Sequence, residues 1–218
     1  IIFFYLKKIF FQIKGKLIVS CQALEHEALH GSHIMRKMAK AAQLGGAVAI
    51  RSNSVSDILA IKEETGLPVI GLIKRDYPNS EVYITPTVKE IEELLTTKCE
   101  IIAMDATLRQ HPDNVSLAEK VKLIQSHGVL TMADVSTYEE AVAAQEAGFD
   151  MISTTLSGYT PYSPQIAGPD IELVKRLTKD LSIPIIAEGR ISSVEDVLKI
   201  KETNPFSMVV GGAITRPD

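Results

Sequence analysis

Two charged residues stand where long apolar runs end, and their types fit proton transfer at a carbon atom. Lys74 ends the run that begins at Val69, and Glu188 ends the run that begins at Ile183. A buried lysine with a cationic neighbour such as Arg75 can have a pKa low enough to act as a base, and a carboxylic acid can return a proton. We therefore predict that Lys74 and Glu188 are catalytic. Either the two residues act on opposite faces of the carbon, or Lys74 alone acts on both faces. The alternative for Lys74 is a side chain that only extends to solvent.

Three further apolar runs end in Arg51, Asp105 and Asp134. We expect all three to bind substrate, because a guanidinium suits an anionic oxygen and a carboxylate suits a hydroxyl or an ammonium group. Asp134 could hold Lys74 in its charged form. It could instead cap a helix that begins near Tyr138. Asp105 likewise could have either a functional or a structural role.

The cysteines and histidines do not predict a metal site or a nucleophile. His26, His30 and His33 are closely spaced, but no cysteine cluster or carboxylate motif accompanies them, so surface positions explain them better. Cys21 has no evident histidine base, and a buried thiol is the better interpretation. We predict no bound metal.

Glycines after two of the last apolar runs indicate a phosphate site. Gly189 and Arg190 follow Glu188, and Gly211 and Gly212 follow the last run. Without a Cβ, glycine lets backbone N–H groups approach an anion, and the start of a helix favours negative charge. Arg190 and Arg216 could add guanidinium donors, although solvated surface arginines are the alternative. We therefore predict phosphate binding by Gly189, Gly211, Gly212 and Arg216.

Eight short apolar runs that lack alternation predict strands buried on both faces, which is typical of parallel sheets. The predicted strands are Leu17–Cys21, Ala47–Arg51, Val69–Lys74, Glu100–Asp105, Val129–Asp134, Asp150–Thr155, Ile183–Glu188 and Ser207–Gly211. Helical periodicity between them predicts seven helices, over Ile34–Leu44, Val55–Thr65, Val88–Leu95, Leu117–His127, Tyr138–Ala147, Ile171–Lys179 and Val194–Glu202. This repeat predicts the α/β class and a (β/α)8 barrel, in which active sites lie at the C-terminal ends of the strands.

Local signals support these boundaries. Ser54, Thr87, Ser136 and Ser193 are suitable N-caps, and Gly45, Gly66, Gly128 and Gly148 follow helix ends. Two long connections carry prolines and tyrosines. Residues 77–85, with a short strand Val82–Ile84, are a candidate catalytic loop, and residues 158–168 are a candidate lid over the barrel mouth. We expect no eighth helix, because only a few residues follow the last strand.

The chain ends and the overall composition limit the class of protein. Residues 1–14 are an apolar segment that we expect to be helical and to lie over one mouth of a single barrel domain, 15–218. The 218 residues carry a net charge of -4, with scattered charges that do not suggest nucleic-acid binding. Two distant cysteines favour reduced thiols in the cytoplasm. An open barrel end would expose apolar surface, so we expect a homodimer.

The chain from about Gly15 to Asp218 resembles the N-acetylmannosamine-6-phosphate 2-epimerase family of bacterial sialic-acid catabolism. Eight segments carry the resemblance: LIVSCQAL, GGAVAIRSN, PVIGLIKRDY, AMDAT, MADV, ISTTLSGYT, PIIAEGRI and VVGGAITRP. The resemblance implies a (β/α)8 barrel that interconverts N-acetylmannosamine 6-phosphate and N-acetylglucosamine 6-phosphate without metal or nicotinamide. It also implies a polar rim of Gln22, Arg51, Thr155 and Arg190 around the sugar.

Three other hypotheses stay open at the level of sequence. Another phosphate-binding barrel enzyme, of the pentose-phosphate epimerase or decarboxylase type, should use paired aspartates or a metal in place of Lys74 and Glu188. A sugar-phosphate-binding protein without activity is a second hypothesis. A third places residues 1–13 on a membrane surface, although their charged face is weak and we predict no membrane partner.

Overall fold

The computed structural model describes residues 2–217, with side chains from Lys8 onward. The predicted segments 1–14 and 15–218 include Ile1 and Asp218, and these two residues lie outside the described residues. Within residues 2–217, eight parallel strands close into a barrel in chain order, with β1 paired to β8. The strands are β1 Leu17–Cys21, β2 Ala49–Asn53, β3 Val69–Leu72, β4 Ile101–Asp105, β5 Leu130–Asp134, β6 Met151–Ser153, β7 Ile185–Glu188 and β8 Ser207–Val210. The predicted (β/α)8 fold is confirmed.

Side chains of successive strand residues alternate between the barrel interior and the layer beneath the helices. In β5, Leu130 and Met132 pack in the interior cluster, whereas Ala133 packs in the outer one. Asp134 continues the inward series, and Arg51 does so in β2 after Ala49. This period of two explains why apolar interior strands end in inward-facing charged groups.

Seven helices of eight or more residues lie between the strands in this part of the chain. They are α2 Ser32–Leu44, α3 Val55–Thr65, α4 Val88–Leu95, α5 Leu117–Ser126, α6 Tyr138–Glu146, α7 Ile171–Asp180 and α8 Val194–Glu202. Buried apolar residues three or four apart occur in α2 to α7, as in α4, where Ile91 and Leu94 are fully buried. That spacing places one apolar stripe of these helices against the barrel.

The helix starts follow the predicted caps with one correction. Ser54, Thr87 and Ser193 are the N-caps of α3, α4 and α8. The N-cap of α6 is Thr137 and not Ser136, because Thr137 Oγ1 accepts from Glu140 N at 3.3 Å. Ser136 instead donates its hydroxyl to the Glu140 carboxylate at 2.7 Å. Asp134 does not cap α6 either, since its carboxylate binds Arg51.

The first helix, α1 Ile2–Ile13, precedes β1 and closes the N-terminal end of the barrel. Its Ile9 and Ile13 are buried in the same cluster as the barrel interior. Phe10 meets Phe206 edge to face, with ring centroids 5.9 Å apart. None of the helices described between residues 2 and 217 is long and apolar enough to cross a bilayer.

The segment after β8 contains only a short helix. Gly212–Thr215 form the short helix α9, because the N–H groups of Ile214 and Thr215 bond back to Gly211 O at 2.9 and 3.1 Å. Strands β2 and β3 differ from prediction at their ends. β2 extends to Asn53, and β3 ends at Leu72, so Lys74 lies just beyond the regular strand.

Candidate functional site

A cavity of about 380 Å³ opens at the C-terminal ends of the strands. Ten of the twelve predicted site residues line it: Gln22, Arg51, Lys74, Thr155, Glu188, Gly189, Arg190, Gly211, Gly212 and Arg216. They come from six of the eight strand ends and their loops. Closure of the barrel therefore assembles residues that are up to 194 positions apart, from Gln22 to Arg216, around one space.

Lys74 is held by β2 on one side and by the excursion after β3 on the other. Its N–H donates to Asn53 Oδ1 of β2 at 2.9 Å, and its backbone pairs with Ile84 in an antiparallel bridge. The predicted excursion of residues 77–85 thus returns alongside the end of β3. Thr85 secures that return, because its hydroxyl donates to Ala103 O at 2.7 Å while its Oγ1 accepts from Ile73 N.

The ammonium of Lys74 has no hydrogen bond or ion pair among the residues that the structure describes. Burial lowers its pKa, and the nearby positive charges of Arg51 and Arg216 lower it further. The carboxylates of Glu188 and Asp134 oppose this effect. A lysine with these surroundings is more readily neutral, and therefore basic, than a solvated one.

The expected role of Arg75 is wrong. Arg75 follows Lys74 directly, but consecutive residues of an extended segment point to opposite sides. Its guanidinium forms ion pairs with Glu90 and Glu93 of α4, outside the barrel interior. The cationic neighbours that lower the pKa of Lys74 are therefore distant in sequence.

Arg51 is the centre of a buried ionic network. Its Nη1 and Nη2 donate to the two oxygens of Asp134 at 2.9 and 2.6 Å, and Nη1 lies 3.2 Å from Glu188 Oε2. Only 1% of the Arg51 side chain is exposed. This bidentate pairing fixes the guanidinium and directs one hydrogen of each terminal nitrogen to Asp134.

Hydroxyl groups of β6 and its loop hold Glu188 in place. Ser153 and Thr155 reach Glu188 Oε2 at 3.1 and 3.0 Å, and Thr155 also donates to Asp134 at 2.7 Å. The backbone of Glu188 is bound on both sides by Thr154 Oγ1. No hydrogen bond to Glu188 Oε1 occurs within residues 2–217, so one oxygen of this cavity-lining carboxylate remains available.

Charge and burial shift the pKa values of this network in defined directions. Burial would lower the pKa of Arg51, but the carboxylates of Asp134 and Glu188 outweigh it and raise that pKa. Burial raises the pKa of Glu188; the guanidinium of Arg51 opposes that shift, and the negative charge of Asp134 adds to it. Glu188 is therefore a carboxyl group that protonates more readily than an exposed glutamate.

The predicted glycine corner forms one wall of the cavity. Gly211 is so close to β1 that a Cβ there would meet Ser20 Cβ at 3.4 Å, whereas a Cβ at Gly212 would have 4.0 Å to Arg216 Cδ. The guanidinium of Arg216 is paired with Glu27, with Nε 2.7 Å from Oε1. The hydrogen bond from Arg216, together with one from the backbone of Leu24, lowers the pKa of Glu27 to about 2.

Arg190 connects the glycine corner to the predicted lid, residues 158–168. Its Nη1 donates to Ile166 O, and its guanidinium packs so closely on Gly158 that a Cβ there would collide with it. Gly158 adopts a left-handed φ of +85°, which also favours glycine. The lid thus bends around Arg190, which lies between it and the cavity.

Asp105 and Asp134 are the two predicted site residues that do not line the cavity. They lie opposite each other in the paired strands β4 and β5. Asp134 sits behind Arg51. Asp105 is bound by its own loop, since it accepts from Thr107 N at 2.9 Å and from Arg109 Nη2 at 2.7 Å.

Among the lining or supporting residues that were not predicted are Ser20, Tyr83 and Ser153. Ser20 Oγ accepts from Gln22 Nε2 at 2.8 Å and so orients that amide. Ser20 and Ser153 stand two residues before predicted site residues, so the period of two could have identified them. Tyr83 lies in the excursion after β3, where no periodic signal marks it.

The histidines predicted to lie at the surface are exposed at positions 26, 30 and 33. His30 Nδ1 lies 3.0 Å from Ala23 O, a local contact within the loop after β1. Within residues 2–217, no three His, Cys, Asp or Glu side chains are grouped in a way that suits a metal ion.

Comparisons with known sequences place this site in a family context. The family described as "Putative N-acetylmannosamine-6-phosphate epimerase" matches residues 35–218. A relative of that name, a 2-epimerase from Clostridioides difficile (strain 630), is 59% identical over 206 residues, which cover 94% of this chain and 92% of the relative. A second, from Clostridium perfringens (strain 13 / Type A), is 56% identical over 205 residues, covering 94% and 93%.

Comparisons with solved structures give a neighbour from the same family. The structure described as the N-acetylmannosamine-6-phosphate 2-epimerase from Clostridium perfringens superposes with a TM-score of 0.95 at 54% identity, covering 96% of this chain and 91% of that one. A thiamine phosphate pyrophosphorylase from Pyrococcus furiosus superposes with a TM-score of 0.64 at 16% identity, covering 95% and 91%. The second likeness shows the barrel fold alone.

Proposed function

We propose that this chain, which belongs to the N-acetylmannosamine-6-phosphate epimerase family, inverts C2 of N-acetylmannosamine 6-phosphate to give N-acetylglucosamine 6-phosphate. The observation that carries the proposal is the ammonium of Lys74, which has no partner within residues 2–217 and lies in a cavity that also contains Glu188 and a glycine corner. A base, an acid and an anion site in one cavity are the groups that this reaction needs.

The first chemical step is removal of the C2 proton from the ring-opened sugar. Ring opening exposes an aldehyde at C1, which makes the hydrogen on C2 acidic. Neutral Lys74 takes that proton, the C2–H electron pair forms the C1–C2 double bond, and the carbonyl electrons move to O1. Burial and the charges of Arg51 and Arg216 favour the neutral lysine that this step requires.

The second step returns a proton to the opposite face of C2. Glu188 is suited to this role because burial raises its pKa and because Oε1 has no hydrogen bond in the described part of the chain. If Lys74 acted on both faces, the intermediate would have to rotate between the two transfers. We propose the two-residue arrangement, with Arg51 and Asp134 holding Glu188.

The phosphate group binds at the glycine corner of Gly189, Gly211 and Gly212. Apart from its chain neighbours and the backbone of α9, the described residues bring no atom closer to a Cβ at Gly212 than Arg216 Cδ at 4.0 Å, which leaves open space beside this glycine. Arg190 and Arg216 also line this wall and add positive charge. Gln22 and Thr155 complete the polar surroundings of the sugar.

The deciding experiment is incubation of the protein with N-acetylmannosamine 6-phosphate in deuterium oxide, followed by NMR of the products. We expect N-acetylglucosamine 6-phosphate that carries deuterium at C2. Free N-acetylmannosamine is the control for the phosphate site and should be converted at least about 100-fold less efficiently. The absence of both product and C2 exchange would overturn the proposed function.

The variant Glu188→Gln separates the two proton transfers. Lys74 should still remove the C2 proton, so N-acetylmannosamine 6-phosphate should acquire deuterium at C2, while its conversion to the epimer falls about 100-fold. Epimerisation at the wild-type rate would assign the return of the proton to another group. Loss of both exchange and epimerisation would show that Glu188 also supports the first step.

We also propose that the protein is a homodimer located in the cytoplasm. Val194 and Leu198 on α8 and Ile214 on α9 expose 77%, 56% and 46% of their surface, which is apolar surface available for association. Cys21 and Cys99 are free, buried thiols, as is usual in reducing compartments. Sedimentation equilibrium and cell fractionation test these points, and a monomer or an exported protein would contradict them.

A further inference from the structure

Removal of the C2 proton leaves negative charge on the O1 atom of the substrate, and that charge needs a hydrogen-bond donor. Arg51 is the obvious cationic candidate, but its two terminal nitrogens already donate to both oxygens of Asp134. Two carboxylates, Asp134 and Glu188, also balance its charge. Its Nε is buried with no hydrogen-bond partner in the described chain. An anion at the remaining hydrogen of Nη2 would meet a guanidinium whose charge two carboxylates already balance.

Most other polar side chains of the cavity wall also donate within the protein. Thr155 donates to Asp134, Thr215 to Ser20 O, and Ser192 to Asp196. Arg190 donates to Ile166 O and Arg216 to Glu27. These groups position loops and each other.

Three hydroxyl groups of the cavity wall donate to no protein atom within residues 2–217: those of Ser20, Tyr83 and Tyr159. Ser20 belongs to the glycine corner, since its Cβ would touch a side chain at Gly211. Tyr159 stands on the lid with 56% of its surface exposed. Tyr83 alone is partly buried, and it packs against the interior cluster of the barrel.

The backbone places Tyr83 next to the catalytic base. Tyr83 O accepts from Arg75 N at 2.9 Å, and the following residue, Ile84, pairs with Lys74 in the antiparallel bridge. Tyr83 and Lys74 therefore belong to one two-stranded unit at the end of β3. The phenol also interacts electrostatically with Arg51, at the centre of the ionic network.

The phenol keeps its proton in this environment. Burial raises the pKa of Tyr83, and the negative charges of Asp134 and Asp105 raise it further. Tyr83 is thus a donor throughout the pH range in which Lys74 works as a base, and its donated hydrogen does not depend on a charged partner.

We propose that Tyr83 is a catalytic residue that donates its phenolic hydrogen bond to O1 of the substrate as negative charge develops there. This inference rests on the proposed epimerase function. In the step, the C2–H bond breaks and the proton passes to Lys74 Nζ, the C1–C2 double bond forms, and O1 gains the electron pair. Tyr83 retains its proton and stabilises that oxygen by hydrogen bonding.

The variant Tyr83→Phe tests the proposal, because it removes one oxygen atom and keeps the ring that packs on the barrel interior. We expect kcat to fall about 100-fold and KM to change less than about threefold, as for the loss of one donor to a transition-state oxyanion. The melting temperature should not change, since the phenol has no hydrogen bond to another described residue. The rate of deuterium exchange at C2 should fall with kcat.

Tyr159→Phe is the matched control, because it removes the same atom from a cavity-wall tyrosine on the lid. Its kcat should stay within about threefold of the wild-type value. A Tyr83→Phe protein with unchanged kcat, or one whose whole loss is in KM, would overturn the proposal. If the wild-type protein itself did not exchange C2 hydrogen, the proposed function would fail first, so the two failures are distinguishable.

Discussion

Two lysines lie near the mouth of the barrel, one fully buried and one partly buried, and their ammonium groups have different surroundings. Lys120 of α5 is fully buried and lies 2.9 Å from each of Pro86 O, Asp113 Oδ1 and His111 Nδ1. Lys74 has no such partner in the described chain, and it faces the cavity. Burial lowers the pKa of both, but Asp113 opposes the shift of Lys120, whereas Arg51 adds to that of Lys74.

The same contrast separates two halves of the barrel mouth, one around β4 and the other around β3 and β7. Around β4, Asp105 and Arg109 bind each other and Thr107, and His111 completes the set around Lys120. Around β3 and β7, Glu188 binds Arg51, as Asp134 of β5 also does. Lys74 Nζ and Glu188 Oε1, however, have no hydrogen bond within residues 2–217. A buried charge with a full set of partners stabilises the fold, while one without them indicates a site of chemistry.

Substitution of the two lysines by methionine gives the largest expected effect. Lys74→Met should lower kcat at least about 1,000-fold, because no other base in the site replaces it, and should leave the stability nearly unchanged. Lys120→Met should keep kcat within about threefold but lower the free energy of unfolding by about 3 kcal/mol, since Asp113 and Pro86 O lose their buried donor. Product NMR and urea unfolding measure the two quantities.

Each variant serves as the control for the other, because both remove one buried ammonium and retain a similar apolar stem. Our distinction between the two halves would be wrong if Lys120→Met lost activity while remaining folded. It would also be wrong if Lys74→Met retained turnover, which would remove this lysine from the mechanism.

Much of this architecture could be predicted because its signals are local. Apolar runs locate the strands, and the residue at the end of an inward-facing series lies at the mouth; Lys74, Glu188 and Arg51 were found in this way. Thr137 and Ser136 show the limit of local signals. Both residues can cap a helix, and only the position of Glu140 decides between them.

What the sequence could not predict is the set of partners across the barrel. Arg51 and Asp134 are 83 positions apart, and nothing local indicates that they form a bidentate pair. The same is true of Tyr83, whose role depends on an excursion that returns beside Lys74. Closure of the barrel decides which charged groups lie next to each other, so only the register of the strands identifies them.

The neighbours that set the pKa of Lys74 give the smallest expected effect and the sharpest test of this contrast. Burial, Arg51 and Arg216 lower that pKa, so removing the charge of Arg216 should raise it toward the value of a solvated lysine. An amine reacts with acylating reagents only in its neutral form. The pH at which Lys74 reaches half-maximal labelling should therefore move upward in Arg216→Gln.

Arg75→Gln is the matched control, because Arg75 is adjacent in sequence but binds Glu90 and Glu93 outside the interior. Its labelling curve should coincide with that of the wild type when mass spectrometry measures acylation of Lys74 at each pH. A shift in Arg75→Gln and none in Arg216→Gln would mean that sequence proximity, and not the charges gathered by barrel closure, controls the base. An upward shift in Arg216→Gln alone would show that the far side of the barrel helps to keep Lys74 neutral.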